Sequence, residues 1–553
     1  MAVLPWRGTK LLGYVEYFVH GDGRYTTILI VLEILRQRLA DLGVTLDHSS
    51  VEVTLRNERG TVVHRSMTRY PGTAAFVRLA STDFLPASRV LTGSMEYLVQ
   101  CWDAEGRCLD DALLQADISP DAFLLWTDER HTCTCTHANM ATGLASPLAG
   151  AAREALWWAR ELLHHNHTHA GAVAVFEDEQ YASALILQSY GQPWRRVSLE
   201  LRNATGEALC TVVPSLAPHE TREVPIGEAF PTARAFLQGG PGNVLLRSYP
   251  PDLRRYRFLV KTTNRRSGAF SLDHSYYVSR VARCTYSAQD HARLGKGFMY
   301  PHSVILNSTI RTSVVFFNTE LEDTEKVIGL LLYDRTGREV VHERQAATLP
   351  PRGFVHLDFR DYLDLGPDDE FDGHFEAYYA KPSSPDGRYS TGLHGQVLYD
   401  GPNARESTQV GASVPWHSPR GFARPAWILN YRTVFMVIPY ICTDALETSI
   451  HFANVSHAWD YTETAGFNCE LVDRDGCVVD RRRIDLGPNQ HIHESLRVLF
   501  KHHPRDGIGL VFVRAVDPAL SWLPLHYFIA CQAAGVVTSD HGQALYHYDL
   551  IGR

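Results

Sequence analysis

Short runs in which apolar and polar positions alternate dominate the chain. Ser313-Val314-Val315-Phe316-Phe317-Asn318, Ser449-Ile450-His451-Phe452-Ala453-Asn454 and Gly509-Leu510-Val511-Phe512-Val513 have the length and the β-branched and aromatic content of strands. Turn residues follow each run closely, which predicts antiparallel sandwiches rather than a parallel sheet flanked by helices. One stretch departs from this rhythm. Ser146 and Pro147 suit an N-cap and a first helical residue, and Ala152, Ala155, Leu156, Ala159, Leu162 and Leu163 form an apolar stripe at helical spacing. With Arg153, Glu154, Arg160 and Glu161 opposite, a helix over 146–165 is expected to pack on a sandwich or bridge two of them.

The strand pattern repeats. An alternating strand, a Leu-x-Asn/Asp-x-x-Gly turn, a second strand and then a Pro occur four times. The turns begin at Asn57, Asn203, Asp334 and Asp473, and the prolines are Pro71, Pro218, Pro351 and Pro488. Asn or Asp caps such a turn with its side chain, and Gly accepts the left-handed conformation that follows. Asp103 to Gly106, followed by Pro120, is a rival for the first copy; Asn57 is preferred because it leaves chain for the later strands. The turns lie 146, 131 and 139 residues apart, the size of a small all-β domain. Copies three and four also share an opening, Gly297-Phe298-Met299-Tyr300-Pro301 and Gly421-Phe422-Ala423-Arg424-Pro425. Their ends look alike too, Leu393-His394-Gly395-Gln396 and Asp540-His541-Gly542-Gln543. The expected fold class is all-β: four tandem antiparallel β-sandwich domains with one inter-domain helix. The domains fall at 10–140, 170–282, 296–402 and 420–550, with 401–424 read as a linker.

At 553 residues the chain is too long for one core, which agrees with several domains. Acidic residues outnumber basic ones, 62 to 53, so no nucleic-acid partner is expected. The longest early apolar run, Ile28 to Leu32, stops at Glu33, far short of a membrane span, and nothing at the start reads as a secretion signal. Ten cysteines do not make a dense disulfide framework. Cys469 and Cys477 flank one turn at a separation beyond disulfide reach, and Cys101 and Cys108 fall on opposite faces. A cytoplasmic location follows, and the Asn-x-Ser/Thr sequons at Asn166, Asn203, Asn307 and Asn454 are taken as coincidental. Full protonation of the 27 histidines would reverse the sign of the −9 formal charge.

The third copy carries a further pattern. A strand ending in Phe317-Asn318-Thr319 leads to an acidic loop, the Leu332-Tyr333-Asp334 turn, Leu349-Pro350-Pro351-Arg352-Gly353 through Tyr362-Leu363, and a strand containing His394. This order resembles the small β-sandwich of the sensory rhodopsin transducer family, over about a hundred residues of copy three and more loosely in copy four. The resemblance implies a module that binds a small molecule such as a sugar and that assembles as a tetramer. Where that family has Gln before its closing His, this chain has Leu393 and Asp540.

Each copy closes on a histidine: His137, His274, His394 and His541. Packed around a pseudo-fourfold axis, these would converge on a ligand or metal; the same placement also serves a hydrogen bond to a loop carbonyl in each copy. His164, His165, His167 and His169 form the densest cluster, with His164, His167 and His169 the alternative metal set, and Cys133, Cys135 and His137 share one strand face. No nucleophile elbow, zinc helix, Walker loop or dinucleotide motif is present, so no catalytic residue and no cofactor is assigned. The expectation is a non-catalytic protein that binds a small molecule, such as a carbohydrate, or a protein partner, with self-assembly open. The alternatives are a metal-assisted enzyme whose pocket between repeats is lined by histidines, and a structural assembly subunit.

Overall fold

The four Leu-x-Asn/Asp-x-x-Gly segments fold into one and the same hairpin turn. In the computed structural model Gly60, Gly206, Gly337 and Gly476 have φ of 79°, 86°, 84° and 86°. The amide of each donates to the carbonyl of Asn57, Asn203, Asp334 or Asp473, three residues earlier. The side-chain Oδ1 of those residues accepts from the amides of Thr61, Glu207, Arg338 and Cys477. The structure describes residues 12–41, 43–109, 121–128, 133–137, 169–189, 193–194, 196–249, 258–278, 285–286, 296, 301–318, 325–366, 368–382, 387, 389–390, 393–410, 430–456, 458–516, 525–531, 536–541 and 543–549. The helix expected over 146–165 lies outside them.

The fold is all-β, built of antiparallel sandwiches. In the first, one layer runs Val62–Pro71, His48–Asn57, Leu91–Trp102, Leu12–Gly21. The other runs Phe76–Ala80, Arg24–Val31, Asp121–Thr127, Cys133–His137. The other three copies repeat this order, and the second and fourth add a strand, Tyr276–Val278 and Gln543–Asp549. Alternate residues such as Val51, Val53 and Leu55 fill the space between layers. A hydroxyl clamps the first two strands of every copy. Thr26, Thr312 and Thr448 accept from the amides of Val19, Ile305 and Ile441 and donate to their carbonyls, and Ser183 accepts from the amide of Phe176. The spacing is seven residues each time, which sets a common register for all four copies.

That register corrects the sequence reading of the copy ends. The closing strands are Cys133–His137, Phe270–His274, Arg405–Val410 and Val536–His541. His137, His274 and His541 are equivalent, but the third copy has Gln409 there; His394 lies on the preceding strand, Leu393–Asp400. The third sandwich therefore runs to Val410, through what looked like a linker. A second difference is the helix Glu33–Asp41, to which the sequence reading assigned no element, and whose Leu35 and Leu39 lie one turn apart and are buried.

The four sandwiches close into a ring, and the repeated turn and proline are its fastening. The turn at Gly60 rests on Pro218 and His219 of the second copy, that at Gly206 on Pro351 of the third, and that at Gly337 on Pro488 and Asn489 of the fourth. The turn at Gly476 returns to Thr73 of the first copy, where Ala75 donates to the Arg474 carbonyl at 3.0 Å. Thr221 donates to the Glu58 carbonyl in the same way at 2.9 Å. Inside the ring the closing strands pack in cyclic order about a pseudo-fourfold axis. The axis is polar: Thr134, Ser271, Glu406 and Thr538 occupy one register level, and Thr136, Asp273, Thr408 and Asp540 the next, all buried. Thr134 Oγ1 accepts from the Leu272 amide at 2.9 Å, and Thr538 Oγ1 from the Cys135 amide at 3.0 Å, tying neighbouring copies.

Candidate metal centre

One inter-sandwich contact gathers more ligating side chains than the others do among the described residues. Asp372 is the second residue of the strand Phe371–Tyr379 in the third sandwich. His451 lies in Leu446–Ala453 and His491 opens His491–Ser495, both in the fourth. Ile450 and Phe452 belong to the core of the fourth sandwich, so strand alternation turns His451 outward, toward the third. Asp372, His451 and His491 each present one donor atom, all within 4.8 Å of one another. His491 Nε2 stands 3.3 Å from Asp372 Oδ1, while His493 Nδ1 lies 3.4 Å from Oδ2. A tetrahedral ion with ligands at about 2.1 Å separates its donors by about 3.4 Å, so the observed pair already has that spacing. His493 on the second oxygen fixes the carboxylate plane, the usual task of a group just outside the metal's own ligands.

The electrostatics suit a cation. Burial pushes the Asp372 carboxyl up, but hydrogen bonds from His491 and His493 outweigh it and hold the group well below the usual carboxylate range. Burial, reinforced by the field of His491, drives His374 and His451 well below the ordinary imidazole value, so both rings are neutral, the form in which imidazole binds a metal. His374 packs edge-on to His491 with centroids 5.6 Å apart, fully buried, and neither ring nitrogen has a hydrogen-bond partner among the described residues. His491 Nδ1 is likewise buried without one. Each such atom costs about 1–3 kcal/mol unless something satisfies it.

Pseudo-symmetry shows how unusual this is. Counted from the hydroxyl clamp, the positions equivalent to His451 are Leu29, Ile186 and Val315, and those equivalent to His491 are Phe76, Thr221 and Phe354. Asp372 corresponds to Thr92 in the first copy and Ile508 in the fourth. Leu29 and Phe76 sit in an apolar cluster shared by the fourth and first sandwiches, and Val315 and Phe354 in one shared by the second and third. Among the described residues, only the third–fourth contact brings two imidazoles and a carboxylate within metal-ligand reach of one another, whereas the first–second contact holds the single pair His219–Glu96 at 2.8 Å. Breaking a packing rule at one of four equivalent places marks a functional position.

The residues singled out from sequence do not gather here as a set. His137 and His274 end their closing strands; His274 Nδ1 bonds the Ser275 carbonyl at 3.0 Å. His394 is buried and stacks on Tyr276 of the second sandwich, centroids 4.0 Å apart. His541 comes nearest in register: it pairs with His526, His526 with His451, and His451 with His493, one row across four strands. His164, His165 and His167 lie outside the described residues, and His169 begins the strand His169–Gly171. Cys133 and Cys135 are buried, and burial pushes both thiols up, so they persist as thiols. Sequence reading missed Asp372, His374, His451, His491 and His493. The available signal was a His-x-His at 491–493, just past the repeated Pro488, unlike its counterparts in the other copies.

No protein-family model matches the chain, and no curated protein matches it. Among solved structures, the crystal structure of a glycosyl hydrolase family 2 member from Bacteroides cellulosilyticus aligns with 44% of this chain and 26% of its own. The identity is 11% and the TM-score 0.10; a likeness that low bears on neither activity nor ligand. No helix among the described residues is long and apolar enough to cross a membrane.

Proposed function

We propose that the protein is a metal-binding ring of β-sandwiches, holding a divalent first-row transition ion between the third and fourth sandwiches through Asp372, His451 and His491. Two imidazoles and one carboxylate form the donor set that iron, zinc, cobalt and manganese accept, and three protein donors leave positions open for an exogenous ligand. This is the histidine-lined, metal-assisted alternative of the sequence reading, built from other histidines. The observation that carries it is that, among the described residues, the cluster occurs at one of four equivalent interfaces. A reducing, cytoplasmic setting belongs to the same reading, supported by the buried, unbridged cysteines Cys133, Cys135 and Cys469 inside the sandwiches.

The sister interfaces supply the test. In the double variant His451→Leu, His491→Phe, each histidine takes a side chain found at its equivalent in another copy, so the ring is expected to fold with unchanged or higher stability. Chelated wild-type protein should take up one equivalent of Co²⁺ or Zn²⁺, measured by elemental analysis, and the folded double variant none. Equal uptake by both proteins would overturn the proposal, as would the absence of uptake by the wild type.

A further inference from the structure

Asp372, His374 and Glu376 alternate along the strand Phe371–Tyr379 and so share the face turned toward the fourth sandwich. The proposed centre uses the first of the three. His374 lies beside it, edge-on to His491 and stacked on Tyr333 with centroids 5.1 Å apart at 18°. Two residues further on, Glu376 Oε2 accepts from Lys296 Nζ at 2.5 Å, and both side chains are almost wholly buried. Lys296 also donates to the Tyr333 hydroxyl at 3.4 Å and sits 5.4 Å from that ring's centroid. Glu376 Oε1 and both nitrogens of His374 are buried with no hydrogen-bond partner among the described residues.

Three orphaned polar atoms on the strand face that carries Asp372 call for a ligand rather than for packing. Charge narrows its class. A divalent ion at the partly exposed Asp372 and the buried Lys296, set against Asp372 and Glu376, leave one net positive charge beside the buried His374 and Glu376, and a net charge next to buried groups favours a counter-ion. Donor chemistry narrows it again, since His374 offers an N–H while Glu376 Oε1 accepts one. We infer that the metal centre continues into a subsite for a small hydroxylated monocarboxylate. One carboxylate oxygen lies on the ion, the other receives the His374 N–H, and the ligand hydroxyl donates to Glu376 Oε1. This rests on the metal proposal above and names the ligand class for that site.

The test uses the full chain loaded with Co²⁺, whose visible bands report a new ligand on the ion, titrated with glycolate and with acetate. Both anions should shift the bands, with glycolate the tighter of the two. Lys296→Met removes the net positive charge and should weaken both on the order of tenfold or more, whereas Glu376→Gln adds to it and should tighten acetate. Either single variant leaves a buried charge unpaired and can lose its fold. The double variant Lys296→Met, Glu376→Leu is therefore decisive: it keeps the net charge but removes the acceptor, and should hold acetate within about threefold of wild type while losing the part of the glycolate preference that Glu376 supplies. A Co²⁺ complex whose bands ignore both anions overturns this inference and leaves the metal proposal standing. So does a double variant that binds acetate no better than Lys296→Met alone. Failure to take up Co²⁺ overturns the metal proposal itself.

Discussion

Asp273 gives the sharpest test of the ring. It stands on the pseudo-fourfold axis, accepting from Gln396 Nε2 at 2.5 Å and Ser407 Oγ at 2.8 Å on one oxygen and from the His274 amide at 2.7 Å on the other. Burial outweighs these bonds, with Asp540 adding to it, and the carboxyl is pushed up from 3.8 to about 7. A pKa raised in the folded state means that the native protein holds the proton more tightly. Stability is then greatest at acid pH, falls as pH rises from about 4 to about 7, and levels off above. At 1.36 kcal/mol per unit the full loss is about 4 kcal/mol, of which about 3 kcal/mol falls between pH 4.5 and pH 8. Asp273→Asn removes the charge but not the shape. Gln396 Oε1 already accepts the Ala174 amide, so Gln396 must present its NH₂ to residue 273. The new amide oxygen can serve Gln396 or the His274 amide but not both, a loss of about 1 kcal/mol. Urea unfolding should therefore find the variant about equal to wild type at pH 4.5 and about 3 kcal/mol more stable at pH 8. Glu406, whose carboxyl is pushed up by burial and further by the Asp273 charge, titrates in both proteins, and relief of the Asp273 part in the variant adds to the difference in the same direction. A difference that stays flat across this range would refute a buried, protonated Asp273.

Two further predictions concern the fastening and the core. Gly206→Ala should cost about 2–4 kcal/mol, because φ is 86° and the new Cβ would lie 2.7 Å from the Pro351 carbonyl. Gly106→Ala, at φ 75° with nothing within 4 Å, should cost only about 1 kcal/mol in the same urea titration, and equal costs would contradict the docking account. Asn454 is buried, donates to the carbonyls of Glu463, Leu486 and Gly487 and accepts from the Tyr461 hydroxyl. Asn454→Ala should cost about 3 kcal/mol by chemical denaturation, and a loss under 1 kcal/mol would show those carbonyls to be satisfied otherwise.

The repeat was legible because its chemistry is local. An Asx-capped turn with a left-handed Gly needs the same residues wherever it occurs, so Asn57, Asn203, Asp334 and Asp473 announce the four sandwiches. What the later Pro does was not legible, since it serves the turn of a neighbouring copy more than a hundred residues away. Arg405–Val410 looked like linker for a physical reason. Its Glu406 and Thr408 face a polar axis, so the strand lacks the apolar alternation by which strands are recognised. His394 was matched to His541 by the shared His-Gly-Gln, but the Gln543 half of that motif lies on an added strand paired with Asn430–Ile441. The metal cluster was invisible because its ligands are 79 and 119 positions from Asp372 and meet only across an interface.

Ring closure explains why one interface can be given over to chemistry. Four sandwiches in a row would be joined by three contacts, and weakening any of them would let the chain open there. In a ring, the third and fourth sandwiches stay adjacent through the other three contacts even if their own contributes nothing, because those contacts keep their effective concentration high. The fourth-to-first contact, with Leu29, Phe76 and the docked turn at Gly476, is thus what permits Asp372, His451 and His491 to stand where Leu, Phe or Val would otherwise hold the ring. A metal that binds the folded ring alone would return stability, about 2.7 kcal/mol at a free concentration one hundred times its Kd. That is comparable to burying one aliphatic side chain, so an ion in this position replaces the apolar contact that its ligands displaced.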